Sequence, residues 1–351
     1  MASDRAPQLA GAAGMRIAVL DDYLDQALTL AEWGDLARNV TVFTDTVTGQ
    51  ALIDRLQPFQ VVCLMRERTA LPGAVIAQLP NLQLIVATGK RNPSIDMAAA
   101  RARGIPVCGT ESRDSATTHL TMTLILALMR GLLPEAHAMR TGGWQSFRGR
   151  DLAGLTLGLV GLGKKGSAIA RLAQAFEMNV IAWSQNLTEA RCAEVGGVTH
   201  AGSLDALMAR SDVVSLHVVL SERTRAMIGA REVGMMKPDA ALINTSRGPI
   251  VDQGALLAAL RAGRPGMAAL DVFDQEPLPA DDPLRDRALI DAGKLLLTPH
   301  LGYGAQQTYT RMYTETVEDI RAWIAGAPIR RIDADTPDPA SSGAGGFGGV
   351  Q

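Results

Sequence analysis

From Met15 onward the chain alternates short apolar, β-prone runs with stretches of helical periodicity. The runs are Arg16 to Leu20, Val40 to Phe43, Val61 to Met65 and Leu82 to Ala87. Such alternation predicts parallel strands joined by helical crossovers. A long helical segment, Ala116 to Arg140, then breaks the rhythm and is followed by Gly142, Gly143 and Trp144, which mark a domain junction. A second series follows, with six strands expected at Thr156 to Val160, Asn179 to Trp183, Val213 to His217, Ala241 to Asn244, Ala268 to Val272 and Lys294 to Thr298. The last helix, Thr308 to Ala325, has no strand after it before Pro328 and Ile329, so it is expected to return and complete the first domain.

The first strand of the second series runs directly into Gly161-Leu-Gly163-Lys164-Lys165-Gly166, a G-x-G-x-x-G pattern. Each glycine has a separate steric task at a dinucleotide pyrophosphate site: Gly161 for the tight turn, Gly163 for backbone approach to the phosphates, and Gly166 for close packing of the next helix. The helix that starts there offers free N–H groups and a positive dipole end to an anion. Apolar periodicity at Ala168, Ile169, Leu172, Ala173 and Phe176 supplies the helical context.

At 351 residues the chain exceeds the about 250–300 residues at which single cores stop growing, so two domains are expected. A net charge of −2, from 34 basic and 36 acidic residues, leaves no electrostatic footprint for nucleic acid or a membrane surface. No apolar stretch approaches the about 20 residues that span a bilayer, since Leu120 to Met129 is closed by Arg130. Cys63, Cys108 and Cys192 lack metal-like spacing and are expected to be buried, reduced thiols in a cytoplasmic protein. Met1 to Gly14 lacks a signal-peptide layout and is expected to be a disordered extension, as is the tail Asp333 to Gln351.

Three polar residues sit just past strand ends of the second series, where open α/β sheets place their ligand crevice: Arg247, Glu276 and His300. Histidine is the natural acid/base near neutral pH, a neighbouring carboxylate stabilises its protonated form, and a guanidinium grips a carboxylate with two prongs. The set suits proton transfer beside an anionic substrate, and with a nicotinamide cofactor the reaction becomes hydride transfer. The residues alone leave open a structural Arg247–Glu276 ion pair with His300 as a turn residue. His137, His200 and His217 lack a paired ligand at metal spacing, so no metal site is expected. Met122, Met129 and Met139 are expected to fill the core.

Gly-Leu-Gly-Lys-Lys-Gly, Asn244-Thr-Ser-Arg-Gly, Asp271-Val-Phe-Asp-Gln-Glu-Pro-Leu and Pro299-His-Leu-Gly together resemble the D-isomer-specific 2-hydroxyacid dehydrogenases, over nearly everything from Met15 to Ile332. The resemblance implies an α/β protein with two doubly wound parallel sheets. A Rossmann dinucleotide-binding domain (116–302) would be inserted into a discontinuous, flavodoxin-like substrate domain (15–115 and 303–332). It implies that Arg247 orients a keto acid, that Glu276 stabilises protonated His300, and that His300 protonates the carbonyl oxygen as hydride arrives. It further implies that Asp271 bonds the nicotinamide carboxamide, that Thr245 lies close by, and that Val218 and Val219 border the adenosine side.

Three departures from the family pattern stand out, two of which bear on specificity. The substrate loop reads Gly89-Lys90-Arg91-Asn92-Pro93, and the charges of Lys90 and Arg91 suggest a second anionic group on the substrate or a crowded pocket, unless both side chains face solvent. His119 replaces a usual glutamate and is expected to be a helix-packing change. Ser184, 18 positions after Gly166, occupies the place of an NAD-selective acid. No arginine immediately follows to bind a 2′-phosphate, and Arg191 is a possible substitute, so NAD and NADP both remain open; the lean is to NAD, because the polar turn Ser184-Gln-Asn can hydrogen-bond a ribose without the charged clamp a phosphate needs. The expectation is a homodimeric oxidoreductase acting on a small 2-keto or 2-hydroxy acid, with its dimer contact on the long helical segment. The alternative is a dinucleotide-sensing interaction protein of the corepressor type on the same fold.

Overall fold

A computed structural model describes residues 14–111 and 114–332. The expected extension before Gly14 and the expected tail from Asp333 lie outside the described residues. The chain forms two compact units: one runs up to Arg113 and resumes at Ala305, and the other is Asp114–Gly304.

The first unit holds a five-stranded parallel sheet of β1 (Ile17–Val19), β2 (Val40–Val42), β3 (Val61–Leu64), β4 (Leu84–Ala87) and β5 (Val107–Gly109), in the order β2-β1-β3-β4-β5. The four expected strands are present, and β5 is an addition, too short and too glycine- and cysteine-rich to stand out as an apolar run. The helix Gln306–Ile324 belongs to this unit and packs on β4 and β5. After it, Arg331 bridges Cys108 in antiparallel sense, and the Gly109 and Ile332 amides donate to Arg330 and Val107 carbonyls.

The second unit holds seven parallel strands: β6 (Thr156–Val160), β7 (Asn179–Trp183), β8 (Val198–His200), β9 (Val213–Leu216), β10 (Ala241–Asn244), β11 (Met267–Leu270) and β12 (Leu295–Leu297). Their order is β12-β11-β10-β9-β6-β7-β8, so the strand order reverses between β6 and β9. Alternate residues feed two apolar layers. Val160, Val214, Leu216, Leu242 and Leu270 face one side, and Leu157, Leu159, Val213, Ile243 and Ala269 the other. Strands buried on both faces read as continuous apolar runs, and for that reason β6 and β7 match their expected bounds. Six strands were expected and seven are present. The additional one, β8, is a half-exposed edge strand with little apolar signal.

The long helix expected over Ala116 to Arg140 is two helices, Asp114–Met129 and Leu132–Arg140, bent by 62°. Gly131 breaks it at φ +60°, where a Cβ would overlap the Phe147 ring. The break corrects two side-chain readings. Met122 and Met129 are core residues, but Met139, on the second helix, is 58% exposed, beside Leu132 and Leu133. His119 is also exposed, because the helical period turns Thr117, Thr118, Thr121 and Met122 inward, so its side chain is not part of this unit's core. Among the described residues no single helix is long and apolar enough to cross a membrane, no metal-holding cluster of acids, histidines and cysteines occurs, and all three cysteines are buried and free.

Candidate active site

The strand order reverses between β6 and β9, the place where open α/β sheets bind ligands past their carboxyl ends, and the glycine fingerprint follows β6 there. The three glycines meet three different surroundings. Gly161 has φ +104°, and a Cβ on it would stand 2.7 Å from the His217 carbonyl oxygen. A Cβ on Gly166 would overlap the Gly161 carbonyl, so the helix Lys164–Ala175 lies directly on the turn. Gly163 faces open space. A tight turn, an unobstructed backbone and a 12-residue helix starting at Lys164 fit a dinucleotide pyrophosphate. Lys164 and Lys165 are exposed on the first turn.

Opposite the fingerprint, the Val218 carbonyl accepts from Ser246 Oγ at 2.6 Å, and Val219 is exposed. Thr245 is buried, with its hydroxyl 2.8 Å from that of Thr121. Ser184 stands half-buried one residue past β7. Arg191, on the next helix, pairs with Glu194 at 2.9 Å and reaches the Ser167 hydroxyl, on the fingerprint helix, at 3.4 Å. His217, which had no role in the sequence reading, follows β9 directly and bonds Ser215 Oγ through Nε2 at 2.8 Å. Burial and then the Lys165 charge push its pKa down to about 3, so the imidazole is neutral at physiological pH.

Arg247 and Glu276 come from turns that touch. The Asn244 side chain closes the first of them, its Nδ2 donating to the Arg247 carbonyl at 2.9 Å and its Oδ1 accepting from the Ser246 amide at 3.0 Å. The neighbouring Gly248 packs so tightly on the Phe273 backbone that a Cβ would overlap it. Glu276 Oε1 accepts from the Phe273 amide at 2.9 Å, and its Oε2 stands 2.5 Å from His300 Nδ1. Burial would raise the Glu276 pKa, but the hydrogen bond and charge of His300, with Arg247 behind them, bring it below the usual carboxylate value. An ionised carboxylate therefore faces Nδ1. His300 adopts φ +53° on a turn held by Asp271.

Asp271 is fully buried. Its carboxylate accepts from Thr298 Oγ1 and from the Leu301 and Gly302 amides, at 2.6, 2.7 and 2.8 Å. Burial raises its pKa, and these donors counter the rise only in part. Thr298, expected as the last residue of a strand and given no site role, lies just past β12.

The substrate-loop residues lie in the first unit, past β4. Gly89 has φ +114°, its amide donates to Thr110 Oγ1 at 3.0 Å, and a Cβ there would overlap the Arg66 guanidinium. Lys90 is paired with Glu111 at 2.7 Å, and Arg91 is half-buried. Arg66 was missed in sequence. It sits two residues past β3 at φ +54°, with Nη1 donating to the Thr88 carbonyl at 3.1 Å and its own amide to Thr88 Oγ1 at 2.7 Å.

With this geometry in view, comparison with known proteins decides the family. The pattern described as "D-isomer specific 2-hydroxyacid dehydrogenase, NAD binding domain" matches residues 122–302. The chain belongs to this family. A glycerate dehydrogenase from Methylorubrum extorquens is 32% identical over 302 residues, covering 83% of this chain and 91% of that protein. A D-3-phosphoglycerate dehydrogenase from Methanocaldococcus jannaschii is 32% identical over 283 residues, and the match takes in 80% of this chain but 52% of that longer protein. The crystal structure of a phosphoglycerate oxidoreductase from Vibrio cholerae superposes with a TM-score of 0.82 at 34% identity, over 89% of this chain and 100% of the other. The family's two-sheet α/β architecture is thus the architecture of this chain.

Proposed function

We propose that this member of the family interconverts a small 2-keto acid and its D-2-hydroxy acid, with Arg247, Glu276 and His300 as its catalytic residues. The observation that carries the reading is the His300–Glu276 contact of 2.5 Å at the carboxyl ends of the same sheet whose β6 turn fits a dinucleotide pyrophosphate. A bound nicotinamide supplies the hydride for reduction or takes it in oxidation. Glu276, ionised and anchored by the Phe273 amide, holds the imidazole so that Nε2 carries the mobile proton. His300 donates that proton to the substrate carbonyl oxygen in reduction and recovers it in oxidation. Arg247 grips the substrate carboxylate and polarises the carbonyl.

Gly161, Gly163, Lys164, Lys165 and Gly166 are assigned to the pyrophosphate, and Ser184, Val218, Val219 and Thr245 to the remainder of the dinucleotide. The family match supports NAD as cofactor. The absence of an acid at Ser184, together with the reach of Arg191 to Ser167, keeps NADP within the proposal. Gly89, Lys90, Arg91 and Arg66 are assigned to the substrate side. The homodimer contact is assigned to the exposed apolar residues around Leu132, Leu133, Met139 and Trp144, the last 75% exposed. An interaction module that only senses dinucleotide would have no use for an acid/base pair, so the enzyme reading is preferred.

The deciding experiment is steady-state turnover of the full chain against a panel of 2-keto acids with NADH and with NADPH. The panel should include glyoxylate, hydroxypyruvate and its phosphorylated form. Absence of reduction across the panel with either cofactor would overturn the proposal.

A further inference from the structure

The substrate loop past β4 is held from the side of β5, and β5 is in turn held by the segment that follows the helix Gln306–Ile324. Gly89 and Gly109 meet backbone to backbone: a Cβ on Gly109 would stand 2.6 Å from the Gly89 carbonyl oxygen. The Gly89 amide donates to Thr110 Oγ1 at 3.0 Å, and Lys90 pairs with Glu111 at 2.7 Å. Residues 109 to 111 therefore carry the first two residues of the loop.

β5 is last in the sheet order, and residues 330–332 lie along its outer edge as a short strap. The Gly109 amide donates to the Arg330 carbonyl at 2.9 Å, and the Ile332 amide donates to the Val107 carbonyl at 2.8 Å. Ile332 covers Gly109 from this side, its Cδ1 lying 2.8 Å from where a Cβ on that glycine would stand. On the helix, Glu315 Oε2 accepts from the Glu111 amide at 2.5 Å.

Arg330 fastens the strap to that same helix. Its Nε donates to Asp319 Oδ1 at 3.0 Å, and its Nη2 donates to the Glu315 carbonyl at 2.9 Å and to Glu318 Oε2 at 2.8 Å. Asp319 is fully buried, so loss of the arginine would leave a buried carboxylate without its counter-ion, a costly change. Arg330 also holds φ +49°, a left-handed value that an L residue keeps only where its surroundings impose it. The bend into the strap is thus set by the side-chain contacts.

We propose that Arg330 is a positioning residue: by fastening the strap it fixes the end of β5, and through Gly109 it sets the place of Gly89 and Lys90 toward the substrate. The proposal rests on the assignment of Gly89, Lys90 and Arg91 to the substrate side. It makes residues 330–332, which carry no reacting group, a determinant of substrate affinity.

The test uses the full chain carrying Arg330→Ala, Arg330→Lys, Ile332→Ala or Ile332→Leu, and a double variant, Lys90→Ala with Arg91→Ala. The readouts are amide hydrogen exchange in a peptide spanning 88–92, KM and kcat for glyoxylate reduction, NADH affinity by fluorescence, and thermal unfolding. Exchange needs no substrate and reports the Gly89 amide directly. Arg330→Ala is expected to speed exchange there about tenfold or more, as a local opening does. KM for glyoxylate should rise about tenfold, the scale of one hydrogen bond to a charged group, with kcat within about twofold of the parent, as loss of uniform binding requires. NADH affinity should hold, because the glycine fingerprint belongs to the other unit. Arg330→Lys should recover part of both effects, since an ammonium replaces one of the donors. Ile332→Ala should repeat the pattern more weakly and Ile332→Leu should reverse it; if Arg330→Ala does not fold, this pair decides. Parental exchange in 88–92 for the folded variants would overturn the proposal, and so would a lowered unfolding temperature with parental KM while the double variant raises KM. Parental KM in the double variant would instead overturn the substrate-side assignment, which keeps the two failures distinct.

Discussion

Replacing Glu276 with glutamine changes one oxygen for an NH2 group and reverses the logic of its contact with His300. The amide oxygen can still accept from the Phe273 amide, as Oε1 does at 2.9 Å, so the turn is retained. The NH2 group would then face Nδ1, which must become an acceptor, and the imidazolium form loses its carboxylate. The contact is a 2.5 Å charge-assisted bond between side chains only 18% and 25% exposed, so solvent screens it weakly. Hydrogen bonds to charged groups contribute about 1.5–3 kcal/mol, which at about 1.36 kcal/mol per decade corresponds to a loss of about 10- to 150-fold in reductive turnover. His300→Ala removes the acid itself and should cost more, about 10²–10⁴-fold. Stopped-flow reduction of the best 2-keto acid, measured from pH 5 to 9, checks both. The loss in Glu276→Gln should be greatest at high pH, where an unsupported imidazolium gives up its proton first. Near-parental rates in Glu276→Gln across that range, or a Glu276→Gln defect exceeding that of His300→Ala, would refute the assigned pairing.

Arg247→Lys should reduce kcat/KM severely although the charge is kept, because an ammonium cannot reproduce the planar two-pronged grip on a carboxylate; a parental kcat/KM would mark Arg247 as structural. Ser184→Asp should weaken NADPH use far more than NADH use, since a carboxylate repels a 2′-phosphate but accepts from ribose hydroxyls; an unchanged ratio of the two efficiencies would show that Ser184 does not face the ribose. Asp319 is fully buried on the helix Gln306–Ile324, and burial, partly offset by Arg330 and reinforced by Glu315 and Glu318, pushes its pKa up to about 7 from 3.8. The folded state therefore holds this proton more tightly than the unfolded state, and the stability it contributes below pH 4 is lost as pH rises through 7. Between pH 5 and 8 the loss spans about two pH units, or about 3 kcal/mol at about 1.36 kcal/mol each. Urea unfolding of the parent at those two pH values should show a gap of that order that narrows in Asp319→Asn; the same gap in both proteins would show that Asp319 titrates normally.

The parts of this molecule legible in its sequence are those whose cause is local. β6 and β7 are parallel strands buried on both faces, so nothing interrupts their apolar runs. Gly161 and Gly166 are glycines because a Cβ would strike backbone within a few residues or across one strand. Arg247, Glu276 and His300 stand out because strand ends in an open α/β sheet are where ligands bind. β8 was illegible for the opposite reason: at the sheet edge, with Thr199 exposed, its pattern does not differ from that of a loop. The kink at Gly131 depends on the Phe147 ring, 16 residues further on, which no periodicity within the helix can report.

Long-range partnership also explains why part of the candidate site was not visible. Arg66 acquires its place from Thr88 and Gly89, just past the end of the neighbouring strand β4, and Thr121 from Thr245, 124 residues away. Asp271 shows the limit most clearly. Read along the chain it is an acid past a strand end, beside a cofactor fingerprint, and resemblance directs it to the cofactor. In three dimensions its carboxylate also accepts from Thr298, Leu301 and Gly302, 27 to 31 residues later, which no pattern along the chain announces. Strand-end position marks which residues gather at the crevice, but the division of labour among them depends on where each hydrogen bond ends.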